Sequence, residues 1–423
     1  MAAVIDGVPL LMRIVSASVA VSHKSGQIIR DILSKGDLGI VDKGKNDLQT
    51  EADRSVQRCI VASLHKQFPK VPIFGEEQLD PTEKIPDDFI VKNLDQEVLK
   101  HPCPPDYKDA KDEEIVIWVD PLDGTAEFTQ GLLDHVTVLI GISVKGYAAA
   151  GVIYQPYYNY QAGPEVTRGR CIWGVIGLGA FGYERGQPPD GRIITTTRSH
   201  SDRIITESVN ACEPTQVLRV GGAGHKVLLL IENKVHAYVF ASNGCKKWDT
   251  CAPEAVLHAI GGKLTDIHGN KIQYYARVQR RNDGGVLATV ANHEWYVNKI
   301  PTYVKEMFET SPEPLPLFET KLSQKSLNIG GTPSGESQVK QKSSSQPDST
   351  SQSSDGVKSS HQQPDSTSQN PDGVKSSNQK PDSCTSESTD SLNGGAVAKL
   401  ASSYGPVLFK SIVHNVTHTE PFF

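Results

Sequence analysis

The sequence predicts a layered α/β protein in two lobes, an α+β N-terminal lobe and an α/β C-terminal lobe, followed by a disordered tail. Three observations predict it. Apolar runs of strand length cluster in the first half of the chain. Strands and helices alternate from residue 193 to residue 308. Composition then changes abruptly near residue 312. The expected divisions are 1–185 for the N-terminal lobe, 186–311 for the C-terminal lobe and 312–423 for the tail.

The elements follow in order. Met12 to Leu33 mixes apolar and polar residues at helical spacing, and Thr50 to Phe68 reads as a helix capped by Thr50. Val71 to Phe74 is a short strand leading into Gly75-Glu76-Glu77. Residues 78–113 are acidic and Pro-rich, which predicts an exposed flap. Glu114 to Asp120 is an apolar strand. Val136 to Val144 and Ala148 to Tyr154 form a hairpin across Lys145-Gly146, and Ile172 to Tyr183 adds Gly-spaced strands. The second lobe opens with the strand Ile193 to Thr197. Val217 to Val220 runs into the turn Gly221-Gly222-Ala223-Gly224 and an apolar helix through Ile231. His236 to Ala241 is a strand and Asp249 to Ile260 a helix. Lys263 to Asp266 and Gly285 to Val290 are strands, and Trp295 to Phe308 is the last helix.

The tail is legible from composition. Residues 321–390 hold 20 serines in 70 positions, and no aromatic residue occurs between Phe318 and Tyr404. Such a segment buries too little apolar surface to offset its chain entropy. Pro347, Pro364 and Pro381 mark a repeat of 17 residues, without the apolar residues a stacked solenoid needs. Apolar residues return at 404–423, where the reading is no docked element.

Whole-chain properties exclude several classes. The chain has 423 residues, 37% of them apolar, and a mean hydropathy of −0.35. With no run of 18 apolar residues, no membrane span is expected. The formal charge of −6, from 43 basic and 49 acidic residues, speaks against a nucleic-acid footprint. Seven cysteines, odd in number and without a CxxC pair, fit reduced thiols rather than a disulfide framework or structural zinc. Asp6 interrupts the apolar N-terminus where a signal peptide would be apolar. The expectation is a cytoplasmic monomer with a small-molecule substrate and no membrane or nucleic-acid partner.

The sharpest chemical signal is Asp120-Pro121-Leu122-Asp123-Gly124-Thr125. Pro121 and Gly124 shape a turn that aims two carboxylates and the Leu122 carbonyl at one hard cation, or that serves only as a surface Asx turn. Glu76 and Glu77 form a second acidic pair. Taken alone, Asp249 in Trp248-Asp249-Thr250-Cys251-Ala252-Pro253 reads as a helix N-cap, and Asp53 in Thr50-Glu51-Ala52-Asp53 as part of a capping box. Asp47 is a loop acid or a metal contact. Two motifs are decoys. Gly177-Leu178-Gly179-Ala180-Phe181-Gly182 fits GxGxxG, but the Gly-Gln-Pro-Pro that follows cannot continue a helix. The acids Asp120 and Asp123 are one residue further apart than the DxDGT of aspartate-nucleophile phosphatases.

Taken together, Gly75-Glu76-Glu77, Asp120 to Thr125 and Trp248-Asp249-x-x-Ala252-Pro253 resemble the inositol monophosphatase superfamily of lithium-sensitive, Mg²⁺-dependent phosphatases. Gly36 to Val41, Gln155 to Tyr160, Thr196 to His200, Val220 to Gly224 and Gly244 to Asp249 resemble its 3′(2′),5′-bisphosphate nucleotidase branch, over residues 10 to 308. The resemblance implies an αβαβα sandwich. It implies that Glu76, Asp120, Asp123, Asp249 and the Leu122 carbonyl bind two to three Mg²⁺, with Li⁺ as inhibitor. It implies that Asp53 and Thr125 activate water, without a covalent intermediate. Thr125, Thr197, His200, Gly222, Lys226 and Asp249 would hold the nucleotide.

From the residues themselves, Gly222 lets a ligand approach the backbone, and the following helix offers N–H groups and a positive dipole end to an anion. His200 and Lys226 read equally as a satisfied surface histidine and a solvated helix charge. His225 has no role in this reading. The expected reaction is removal of the 3′-phosphate from adenosine 3′,5′-bisphosphate, with 3′-phosphoadenylyl sulfate and some inositol polyphosphates as further substrates. The alternatives are an inositol phosphate phosphatase and a catalytically silent scaffold with a Ser-rich interaction tail.

Overall fold

The computed structural model describes residues 7–44, 47–80, 82–163, 168–199 and 202–310. The repeats and the apolar end at 404–423 therefore lie outside the described residues. Helix α1 (Leu10–Lys35) ends at Gly36, whose left-handed conformation lets its amide reach the Leu33 carbonyl. A ribbon of β1 (Val41–Gly44) and β2 (Asp47–Gln49), absent from the sequence reading, follows. Thr50 then caps α2 (Glu51–Gln67) as expected.

The first sheet has six strands in sequential order. These are β3 (Ile73–Gly75), β4 (Ile115–Asp123), β5 (Thr137–Val144), β6 (Tyr147–Gln155), β7 (Arg170–Val175) and β8 (Gly179–Phe181). β4 is apolar from Ile115 to Val119 because both of its faces are buried there. Ile115, Ile117 and Val119 join the core under α1 and α2, while Val116 and Trp118 join the core on the other face. The strand does not stop at Asp120. A bulge between Asp120 and Asp123 carries it on past Pro121, a residue that sheets accept at such irregularities. β7 and β8 form a hairpin through the GxGxxG segment, so no dinucleotide fold is present there.

β3 and β4 are parallel, which requires a crossover between them. Residues 78–113 supply it; the described residues up to Asp88 are largely exposed as expected, but from Phe89 on the segment packs on the core. They include the single turn α3 (Gln96–Leu99), with Val98 and Cys103 buried and Phe89, Val91, Leu94 and Tyr107 packed on the core. Widely spaced apolar residues among Pro and acids hide this packing from a composition reading. The short helix α4 (Thr125–Thr129) follows β4.

The second sheet has the order β10-β9-β11-β13-β12. It comprises β9 (Ile193–Thr197), β10 (Gln216–Val220), β11 (Ala237–Phe240), β12 (Lys263–Thr265) and β13 (Val286–Thr289). β10, β9 and β11 are parallel, and β13 is antiparallel to both β11 and β12. Its helices are α5 (Arg203–Ala211), α6 (Ala223–Ile231), α7 (Lys247–Ala259), α8 (His293–Lys299) and α9 (Thr302–Lys305). α5 was missed by the sequence reading; Asp202 caps it at the Ile205 amide, 2.8 Å away. The expected single last helix is two, because Ile300 precedes Pro301 and turns extended.

α6 and α7 contact elements of both sheets, α1 and α2 contact the first, and α5 and α8 contact the second. The architecture is the αβαβα sandwich. α7 lies close on the first sheet because Gly141 and Gly151 leave room for it. A Cβ on Gly151 would stand 2.4 Å from the Ala252 carbonyl oxygen, and one on Gly141 2.5 Å from the Cys251 Cβ. Among the described residues no helix is long and apolar enough to cross a membrane.

Candidate active site

The carboxyl ends of β9, β10 and β11 open on one cavity of about 880 Å³. The chain leaves β9 for β10 on one side and reaches β11 on the other, so the cavity sits at a switch in strand order, where open α/β sheets bind ligands. The first sheet supplies the other wall. Parallel pairing sets Glu76 beside β4, with its amide on the Val119 carbonyl at 3.1 Å. Glu76, Asp120, Leu122, Asp123, Thr125, Thr197, Gly222, Lys226 and Asp249 all line the cavity. His200 lies outside the described residues.

Asp53 is buried at the first turn of α2. Its Oδ2 accepts the Thr50 amide at 2.7 Å and the Thr50 hydroxyl at 2.5 Å, which completes the capping box. Its Oδ1 lies 3.0 Å from the Thr125 hydroxyl, which is also 3.0 Å from the Leu122 carbonyl. Asp249 is not the N-cap but stands at the third position of α7, where its Oδ2 accepts the Lys246 amide at 2.6 Å. Its carboxyl also hydrogen-bonds that of Asp120. Asp120 in turn accepts the Leu122 amide at 3.0 Å. Asp123 accepts the Ala223 amide at 2.7 Å, the Gly224 amide at 2.8 Å and the Thr137 hydroxyl at 2.6 Å. The start of α6, read from sequence as a cradle for a ligand anion, therefore holds Asp123 instead. Its N–H groups and dipole are matched within the protein.

Crowding shows in the electrostatics. Burial, then the charge of Asp249, pushes the Glu76 carboxyl up to about 8. Burial raises Asp249 and Asp53 to about 6 each, and raises Asp120 and Asp123 as well. For Asp120 the neighbouring acids Glu76, Asp123 and Asp249 add to burial. Among the described residues no three Asp, Glu, His or Cys side chains make a ready-made metal cage. They line an open cavity as crowded oxygen donors of high proton affinity. That donor set suits Mg²⁺, which takes a few carboxylates and completes its shell with water and phosphate oxygens.

Lys226 is not a solvated charge. It is 5% exposed, its Nζ donates to the Gly222 carbonyl at 2.8 Å, and it lies over the Tyr238 ring. Burial lowers its pKa, against the charge of Asp123. His225 stacks on His135 at 4.8 Å, and His135 Nδ1 accepts the Gly221 amide at 3.2 Å. Burial lowers both imidazoles, His135 to about 4 and His225 to about 3, so both are neutral at pH 7. Gly222 has φ +68°, and a Cβ there would stand 2.5 Å from the His135 carbonyl oxygen.

Other participants were missed in the sequence. Gln57 clamps Glu77, donating to its carbonyl at 2.6 Å and accepting its amide at 2.8 Å. Its signal was its place one helical turn after Asp53. Lys43 reaches from the ribbon to Glu77 at 2.8 Å and Glu76 at 3.4 Å, and Gln49 bonds Glu77. Asp47 begins β2 in that same ribbon.

A sequence profile of the inositol monophosphatase family matches residues 11–305. The chain belongs to the inositol monophosphatase family. This family member is 56% identical over 298 residues to human 3′(2′),5′-bisphosphate nucleotidase 1, covering 70% of this chain and 96% of that protein. It is 38% identical over 306 residues to the protein of that name from Dictyostelium discoideum, covering 69% and 97%. A mouse Golgi-resident adenosine 3′,5′-bisphosphate 3′-phosphatase is 29% identical over 310 residues, covering 70% and 82%.

Proposed function

We propose that this chain is a Mg²⁺-dependent phosphatase that hydrolyses adenosine 3′,5′-bisphosphate to AMP and phosphate. The further substrates are 3′-phosphoadenylyl sulfate and some inositol polyphosphates. The observation that carries this reading is one cavity whose lining brings together Glu76, Asp120, Asp123 and Asp249, with the Asp53–Thr125 hydrogen bond at its wall. The activity named for the relatives at 56% and 38% identity supports a nucleotide over a simple inositol ester.

Glu76, Asp120, Asp123, Asp249 and the Leu122 carbonyl would hold two to three Mg²⁺. When bound, Mg²⁺ supplies Lewis acidity toward phosphoryl oxygen and makes water more acidic. The protein's own part is proton handling and placement. The Thr125 hydroxyl passes a hydrogen bond between the attacking water and Asp53. Asp53, held near 6, is mostly ionised at pH 7 and takes up the proton. Thr50 keeps that carboxylate aimed. Water oxygen attacks phosphorus, the 3′ oxygen leaves, and no enzyme atom bonds to phosphorus. Thr197, Gly222 and Lys226, with Thr125 and Asp249, would hold the nucleotide, as would His200 from outside the described residues.

The setting proposed is the cytosol, as a monomer. The six described cysteines are free, which supports a reducing compartment. The test is phosphate release by the full chain with Mg²⁺, from adenosine 3′,5′-bisphosphate and from inositol monophosphate, with and without Li⁺. Nucleotide turnover that Li⁺ inhibits is expected. Turnover of the inositol ester alone overturns the substrate, and turnover of neither moves the reading to a scaffold.

A further inference from the structure

Three lysines line the cavity among the described residues: Lys43, Lys226 and Lys246. Two are already matched. Lys43 lies between Glu76 and Glu77. Lys226 is buried on the Gly222 carbonyl and faces the charge of Asp123. The amides at the start of α6 are also taken, by Asp123. A substrate with a second phosphate brings further negative charge into a cavity that is already acidic. A cation that is neither ion-paired nor buried is best placed to receive it.

Lys246 is that cation. It precedes α7, and its backbone amide on Asp249 at 2.6 Å fixes where the residue stands. Its Nζ has a carbonyl for company, that of Gly244 at 3.3 Å; the residue is partly exposed, feels the charge of Asp249, and makes no ion pair among the described residues. Gly244 lines the cavity beside it. We propose that Lys246 binds the non-reacting phosphate of a bisphosphate substrate, an inference that rests on the nucleotidase reading above. The ammonium group carries three donors on a flexible stem and exchanges a neutral carbonyl for phosphate oxygens. Charge-assisted bonds of this kind are the stronger ones. One helix start then presents both ends of the site: the Asp249 carboxylate toward the reacting phosphate and the Lys246 ammonium toward the other. The specificity follows from charge, since a substrate with one phosphate has nothing to offer Lys246.

The experiment measures kcat and KM of the full chain and its K246M and K246R variants. The two substrates are adenosine 3′,5′-bisphosphate and adenosine 3′-monophosphate, which lacks the second phosphate. For K246M, KM for the bisphosphate should rise about tenfold or more while kcat stays within about twofold. KM for the monophosphate should move by less than about threefold, and K246R should restore most of the loss. Equal KM shifts on both substrates, or a fall in kcat on both, overturn the inference, because Lys246 would then act through Asp249. A wild-type chain that does not distinguish the two substrates also overturns it. A wild-type chain that hydrolyses neither overturns the nucleotidase reading, and the inference with it.

Discussion

Asp53 does two things with one carboxyl group. One oxygen closes the cap of α2 and the other meets Thr125. Asp249 is likewise both a helix-start acid and a cavity acid. For each residue the sequence offers a structural and a chemical reading as alternatives, and the observed geometry is compatible with both at once. A backbone amide that caps on an acid also pins the acid in place. Asp53→Asn keeps an oxygen for Thr50 but loses the proton acceptor. It should lower kcat by about 100-fold or more, with a small change in melting temperature. Thr125→Ser should keep most turnover and Thr125→Val should not; steady-state phosphate release checks all three variants. Gly222→Ala meets a positive φ and the His135 carbonyl together. It should destabilise by roughly 1 kcal/mol or more in urea unfolding.

Among the elements, α7 carries most of the consequence, since it touches both sheets and bears Asp249. Gly151→Ala should push it away from β6 and cost roughly 1–3 kcal/mol, read by urea unfolding. Glu254 of α7 is buried and accepts the Tyr274 hydroxyl at 2.6 Å. Burial raises its carboxyl from 4.5 to about 8. The unfolded chain releases this proton near 4.5, while the folded chain keeps it until about 8, so stability falls as pH rises between the two. Glu254→Gln should flatten the decline of melting temperature across that range, measured by thermal melts at several pH values.

Legibility at this scale followed from burial pattern. The continuous apolar run of β4 announced a strand, and Thr50 announced α2. The ribbon β1–β2 was hidden because no residue of β1 is buried, so no period marks it. α5 was legible and passed over: Asp202 caps it, and Ile205, Ser208 and Val209 fall at helical spacing on its buried side. Pro301 was present to be read as a break, but apolar residues on both sides of it suggested continuity.

In the molecule as a whole, the cavity is built by segments from Lys43 to Asp249. The acidic motifs were legible because their spacing is local. Their convergence was not, because parallel pairing of β3 with β4 and the seat of α7 on the first sheet are long-range facts. If Glu76, Asp120, Asp123 and Asp249 hold Mg²⁺, adding the ion should raise the melting temperature in a concentration-dependent way. Glu76→Gln should reduce that rise. Deleting residues 320–423 should leave both turnover and melting temperature within error, since every described element precedes residue 311.

Asp123 belongs to the first sheet, yet two of its three hydrogen bonds come from the start of α6. Cutting the gene after residue 185 would part the carboxylate from the amides it needs. Each fragment would then carry half of a broken clasp: one an uncompensated acid, the other an uncapped helix. The two pieces should be inert and poorly ordered apart, and should recover activity when expressed together. Asp123 would then serve as a fastener between the fragments as well as a wall of the candidate active site.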